Sequence, residues 1–248
     1  FMLQAVAARC RYQALPSYAG KEENCNMSIA ETHAITCPKC HKTQEQEIWQ
    51  SVNVGIDNGM KERVRTGDLN VFVCSNCGFS RQIQCPVLYH DMYGKLMIWS
   101  LPGARSSDQL NAEDGQVQQV FGVAKSDYRK RVVRSVAQLA ETVRIFDDGL
   151  DDRALAIIKA GHRRRRGFRI DEVIYSGIFE KRDEGRVLVF VDRSNRLCGT
   201  PLASYPRVAE LVGKYASPDN GSWIMVDRQY ANKILAAHHR DSGRRTPP

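Results

Sequence analysis

Four of the eight cysteines come as two pairs, Cys37-Pro38-Lys39-Cys40 and Cys74-Ser75-Asn76-Cys77. Two intervening residues let a tight turn aim both thiolates at one point, while backbone N–H groups of the turn stabilise the sulfur charge. Two such turns brought together offer four soft ligands at tetrahedral corners, a set that suits zinc at ~2.3 Å per Zn–S bond. The pairs are 33 residues apart, more than the usual ~15–20, so the intervening strand and helix must be looped out. The expected site is one structural zinc ion on Cys37, Cys40, Cys74 and Cys77. Four thiolate ligands leave no position for water, which points away from zinc catalysis. A redox dithiol needs only one pair, usually at a helix start. That reading, an iron–sulfur cluster and unrelated buried thiols are the alternatives. His41 is read as a surface residue and not a replacement ligand, and Cys85 and Cys198 as buried small apolar residues.

Three further groupings could do chemistry. Asp147, Asp148, Asp151 and Asp152 place four carboxylates in six residues, enough to hold a divalent cation for hydrolysis. Asp151 and Asp152 also sit where a helix N-terminus favours negative charge, and Arg144 and Arg153 are at hand to pair with the rest. His90 beside Asp91 sets a base next to a carboxylate, but neighbours on a strand point to opposite faces. The basic run Arg163, Arg164, Arg165 and Arg166, with Lys159, His162 and Arg169 nearby, could contact several phosphates. Phe168 is its only close aromatic, thin for a single-strand binder, and a solvated linker is the simpler reading. No P-loop, dinucleotide fingerprint or Gly-x-Ser-x-Gly accompanies these residues.

The elements that must position these groups follow from hydrophobic period. Strands are expected at 32–36, 46–54, 70–73, 95–101 and 128–133. A short helix over 57–65 closes at Gly67-Asp68, and residues 104–116 read as a polar loop. Ser135 with Gln138 forms a capping box for a helix carrying Val136, Leu139, Ala140 and Val143, which Gly149 ends. A second helix starts near Asp151 and stops at Gly161. Strands at 172–179 and 186–192 make a hairpin, followed by a helix at 206–215 and a strand at 223–226. A closing helix capped by Asp227 runs to about Ala237, and His238 and His239 fall in the frayed tail.

Composition bounds the whole. With 42% hydrophobic and 26% charged residues, wholesale disorder is excluded. Charges interrupt every apolar run, so none reaches the ~18 residues of a membrane helix. The apolar stretch Met2–Ala8 is short and has no basic residues before it, unlike a secretory signal. Residues 1–26, with Cys10 and Cys25, read as a loose extension. The net charge is +8. Residues 31–103 carry seven charges of each sign, whereas residues 104–248 carry 26 basic against 19 acidic, an excess that could favour a polyanion.

Three stretches resemble the CpXC protein family, a prokaryotic group named for its two paired-cysteine motifs. They are Ile35-Thr-Cys-Pro-Lys-Cys-His, Asn70-Val-Phe-Val-Cys-Ser-Asn-Cys-Gly, and Tyr89-His-Asp-Met92 before Leu96-Met-Ile98. Arg144-Ile-Phe-Asp-Asp-Gly-Leu-Asp-Asp-Arg153 is similar to a segment of its longer members. Ser75 departs from the family name, which expects proline there; proline only stiffens the turn. The resemblance spans roughly residues 33–160, implies the fold and the metal, and brings no activity.

The sequence therefore reads as α+β: a β-rich, zinc-ribbon-like module followed by helices and a small C-terminal α+β unit. The expected organisation is an extension (1–30) and a CpXC-like domain (31–162) holding the zinc module (31–103) and a two-helix segment (126–161). A C-terminal unit (163–238) and a disordered tail (239–248) follow. The expected function is a non-enzymatic, cytoplasmic, zinc-binding adaptor for a macromolecular partner, protein or nucleic acid, with no role at a membrane. The alternatives are nucleic-acid binding through Arg163–Arg166 and metal-assisted hydrolysis at Asp147–Asp152.

Overall fold

Alternation of polar and apolar residues dictates the first elements: Ile29–Thr36 (β1) and Thr43–Asn53 (β2) pair antiparallel, with Thr36 opposite Thr43. The first cysteine pair fills the turn of this hairpin. The computed structural model describes residues 28–57, 59–121, 127–166, 173–183, 185–192 and 194–243; the extension 1–26 and residues 244–248 lie outside them. The fold is α+β. The described residues divide into two units, one ending at Ala140 and the other starting at Glu141. That division falls inside the segment 126–161, which the sequence reading keeps whole.

In the first unit, Met60–Thr66 (α1) ends at Gly67, whose φ of 87° is the left-handed cap conformation that glycine adopts without strain. Val71–Val73 (β3) and Ser80–Gln82 (β4) form a two-stranded ribbon whose turn holds the second cysteine pair. Val87–Asp91 (β5) then pairs parallel to β2 and antiparallel to Leu96–Ser100 (β6). β6 pairs parallel to Arg129–Val133 (β7), so within this unit the strands run β1-β2-β5-β6-β7. The 33-residue gap thus holds β2, α1 and β3, and the second cysteine pair lies inside the connection from β2 to β5, a parallel pair that requires a crossover.

The same requirement corrects the loop expected at 104–116. Asp108–Phe121 is a helix (α2) that carries the chain from β6 back to its parallel neighbour. Among residues 108–115 only Leu110 is buried, so the apolar stripe that would reveal a helix is missing. Local support comes from Gln109 donating to Glu113 one turn on (3.0 Å) and from an ion pair between Asp114 and Lys130 on β7.

Asn70 anchors the ribbon to the sheet. β5 pairs β2 only at Ser51, Val52 and Asn53. Earlier on β2, the Asn70 side chain takes the place of a strand: its Oδ1 accepts from the Trp49 N–H (2.8 Å) and its Nδ2 donates to the Trp49 carbonyl (2.9 Å). The residue is 1% exposed and left-handed at φ 56°, a conformation asparagine tolerates better than other side chains. Asn70→Ala strands two backbone groups at ~1–3 kcal/mol each. The expected loss is about 3 kcal/mol in urea unfolding, and a loss below about 0.5 kcal/mol would refute the anchor.

In the second unit, Ile174–Lys181 (β8), Gly185–Val191 (β9) and Leu197–Pro201 (β10) form an antiparallel sheet in the order β10-β9-β8. The two helices expected after Ser135 are Val136–Asp147 (α3), which runs into this unit, and Asp152–Arg166 (α4). α4 continues past Gly161, where a stop was expected, because a single interior glycine costs only about 1 kcal/mol. Leu155 and Ile158 of α4 join Tyr175, Leu188 and Phe190 of the sheet in one core. Ala154, Ile157 and Ala160 pack in a second core with Val212 of Tyr205–Tyr215 (α5) and Ala231 and Ile234 of Arg228–Asp241 (α6). Trp223–Ile224 (β11) lies between these last helices in sequence.

The Asp227 carboxylate caps α6 as expected, accepting from the N–H groups of Gln229 (2.9 Å) and Tyr230 (3.1 Å). The helix runs through His238 and His239 to Asp241 and so takes in the start of the expected tail. Lys214 (2.5 Å) and the Tyr215 hydroxyl (2.7 Å) hold Asp241 there. Among the described residues no helix is long and apolar enough to cross a membrane.

Candidate metal centre

Both cysteine pairs sit in six-residue hairpin turns of the same construction. In the first, the Cys37 N–H donates to the Lys42 carbonyl (2.9 Å) and the His41 N–H to the Cys37 carbonyl (3.0 Å). In the second, the Cys74 N–H donates to the Phe79 carbonyl (2.8 Å) and the Gly78 N–H to the Cys74 carbonyl (3.0 Å). The fifth position of each turn is left-handed, His41 at φ 60° and Gly78 at φ 67°. His41 spends its position on that backbone turn and is exposed, the surface role expected of it.

The two turns meet through their sulfurs. Cys37 Sγ lies 3.7 Å from Cys77 Sγ, and Cys40 Sγ lies 3.5 Å from Cys74 Sγ; all four lie within 4.8 Å of one another. Bonds of ~2.3 Å to a tetrahedral ion put sulfurs ~3.8 Å apart, so the cluster has the size of a four-thiolate metal cage. The separations far exceed the ~2.05 Å of a disulfide, and the cysteines are free thiols. The donor set fits a thiophilic metal ion, which Cys37, Cys40, Cys74 and Cys77 would hold.

Local hydrogen bonds divide the negative charge unevenly. The Lys42 backbone N–H, helped by the Asn76 side chain, holds the Cys40 thiol down to about 6. Burial raises Cys74, but the Asn76 and Cys77 N–H groups bring it below its ordinary value. The Phe79 N–H favours a Cys77 thiolate, yet burial and the three neighbouring sulfurs push that thiol up to about 12. The cluster therefore resists full ionisation without a cation at its centre, and metal binding must release protons.

Gln44 is a positioning residue that the sequence analysis missed. Its Nε2 donates to the Val73 carbonyl (2.9 Å) and its Oε1 accepts from the Ser75 N–H (2.8 Å). One amide on β2 thus grips the backbone on both sides of Cys74 and docks one turn on the other. Gln44→Ala is expected to weaken metal binding by about tenfold, as loss of outer partners does elsewhere. Gln44→Glu, which keeps only the acceptor, should fall between. Competition with a chromogenic chelator measures both, and equal affinities in all three proteins would remove Gln44 from the site.

The other candidates do not converge. Asp151 caps α4 through the Arg153 N–H (2.9 Å) and pairs with the Arg153 guanidinium (2.8 Å). Asp148 accepts from the Tyr175 hydroxyl (2.6 Å), and Arg144 donates to the Tyr175 carbonyl (3.1 Å). Asp152 is buried while Asp147 is exposed. Among the described residues only the four cysteines group as metal ligands. His90 Nε2 meets the Tyr128 hydroxyl (2.9 Å), while Asp91 accepts from the Tyr93 and Gly94 N–H groups on its own turn. Burial disfavours the His90 cation and lowers its pKa, with Asp91 offsetting only part of the effect.

Cys85 and Cys198 are buried; Cys85 Sγ accepts from Asn70 Nδ2 (3.2 Å), and Cys198 on β10, opposite Phe190 of β9, joins the core of the second unit. The backbone of Arg163, Arg164, Arg165 and Arg166 is the last turn of α4 and not a linker.

A family model described as CpXC protein matches residues 35–159, a span that contains all four clustered cysteines. No curated protein and no solved structure matches the chain.

Proposed function

The chain belongs to the CpXC protein family, and from that premise we propose that its four clustered cysteines hold one structural zinc ion in a module that works by binding a macromolecular partner. The observation that carries this reading is the closed set of four sulfurs, with contacts of 3.5 and 3.7 Å between the two turns. Such a cage leaves no side for a substrate or an activated water, so the ion supplies folding free energy and not catalysis. Zinc suits the all-thiolate tetrahedron better than the harder ions do, and free thiols suit a reducing cytoplasm. The engagement of Asp151 in a cap and an ion pair and of Asp148 with the Tyr175 hydroxyl supports binding over hydrolysis.

Among the described residues β1 pairs on one side only, with β2, which supports docking of an extended protein segment by strand addition. Arg163–Arg166 belong to the end of α4, where cations complement the negative end of the dipole, which supports a local role for the run. Elemental analysis of protein purified without added metal tests the reading. About one zinc per chain is expected, absent from the Cys37→Ser/Cys40→Ser protein. Iron, or no metal at all, would overturn it. Retention on nucleic acid at low salt, lost when Arg163–Arg166 become alanine, would move the function to polyanion binding.

A further inference from the structure

We propose that the four-sulfur centre is also a peroxide-sensitive switch, in which each partly exposed cysteine is oxidised and then captured by the buried cysteine of the opposite turn. The inference rests on the metal reading above and adds a regulation of the same site. Its ground is a pairing of exposure with distance. Cys37 and Cys74, the first cysteine of each turn, are 0% and 2% exposed. Cys40 and Cys77, the second of each turn, are partly open to solvent. Each open sulfur faces a buried one across the turns, Cys40 to Cys74 at 3.5 Å and Cys77 to Cys37 at 3.7 Å. A small oxidant reaches Cys40 and Cys77 first, and the sulfur that resolves each is already in contact.

The chemistry balances with peroxide as the oxidant. Cys40 Sγ attacks one peroxide oxygen; an S–O bond forms, the O–O bond breaks and hydroxide leaves, giving a sulfenic acid. Cys74 Sγ attacks that sulfur; the S–S bond forms, the S–O bond breaks and a second hydroxide leaves. Cys77 and Cys37 repeat the sequence. Four thiolates and two peroxides give two disulfides, four hydroxides and a freed metal ion. The resulting links span 34 and 40 positions and tie the two hairpins together in place of the metal. Links within each turn, Cys37–Cys40 and Cys74–Cys77, would instead leave the hairpins untied. Oxidation on this route releases the ion but keeps the module closed.

The test treats the reduced full chain with hydrogen peroxide, follows zinc with a chromogenic chelator and maps disulfides by mass after blocking residual thiols. Trypsin cuts after Lys39, between Cys37 and Cys40, and fragment ions separate Cys74 from Cys77. Zinc release together with Cys40–Cys74 and Cys37–Cys77 links is the expected result. Links within the turns, sulfinic acids without disulfides, or unchanged thiols would overturn the switch while the zinc reading stands. Reduced protein with no zinc would overturn both. Cys74→Ser adds a second check: dimedone should trap a sulfenic acid on Cys40 while the Cys37–Cys77 link still forms.

Discussion

Stripping the proposed zinc with a strong chelator is expected to unfold residues 31–103 ahead of the rest, and replacing Cys37 and Cys40 together by serine should do the same without chelator. The reason is the thin apolar support around the site. β3 and β4 are three residues each, and an isolated ribbon of that size is not stable in water. Phe72 is buried on β3, but Val73 beside it is 53% exposed, and the turn that follows is held by backbone bonds, the Gln44 amide and the sulfurs. Metal binding to four thiolates is worth roughly 10–16 kcal/mol in small zinc modules at neutral pH, comparable to the whole stability of a domain.

The second unit has its own cores around α4 and does not depend on the sulfurs. Calorimetry of the stripped protein should therefore show one transition lost or moved far down in temperature and one retained. Hydrogen exchange should place the lost protection in residues 31–103, which hold β1 to β6. The sign with pH also follows. Acid protonates the thiolates and competes with the ion, so the metal-dependent transition weakens as pH falls. An unchanged melt after complete metal removal would show that the sulfurs pack as ordinary buried thiols.

The four-cysteine cluster was legible because the spacing within each pair is a local property. Two cysteines three positions apart after a strand can be read without knowing where the second pair lies, and the turns at Cys37 and Cys74 share one construction. Gln44 was not legible, since its role depends on two backbone groups 29 and 31 positions away and its neighbours are ordinary strand residues. The helices with apolar stripes and good caps, such as that opened by Ser135 and Gln138, were readable; Ser135 Oγ accepts from the Gln138 N–H at 3.2 Å. The reciprocal bond is displaced by one residue, from the Arg134 N–H to Gln138 Oε1. α2 was unreadable because among residues 108–115 only Leu110 is buried.

β10 escaped for a different reason. Leu-Cys-Gly-Thr-Pro looks like a turn, yet it lies at the edge of its sheet, where Pro201 needs no partner for its missing N–H. The acidic cluster could be read two ways from its spacing, as a cation site or as helix-terminal charge with arginine partners. Asp151 caps α4 and pairs with Arg153, while Asp148 accepts from the Tyr175 hydroxyl.

Glu141→Ala is expected to cost about 3–5 kcal/mol, as much as truncating a large core side chain. The Glu141 side chain is 7% exposed and makes an ion pair with Lys159 of α4, itself 13% exposed. The same carboxylate accepts from the Tyr175 N–H at 2.6 Å, so it links α3, α4 and β8. Truncation leaves an ammonium group and a backbone donor in a site that water reaches poorly, and neither has another anion supplied by Glu141's own position. The cost of such a site is mainly the unpaired remainder and not the strength of the pair. Two comparisons separate these terms. Glu141→Gln retains an acceptor for the Tyr175 N–H and should lose less than Glu141→Ala. Glu141→Leu with Lys159→Met removes both charges and should recover most of the loss, because apolar replacements of a buried pair are often neutral. Urea unfolding monitored on the second unit's transition measures all three, with an unchanged denaturant slope marking a pure stability effect. A loss below about 1 kcal/mol for Glu141→Ala would place the pair among solvated surface bridges, which contribute that little, and would leave the apolar cores on either side of α4 to hold these three elements together.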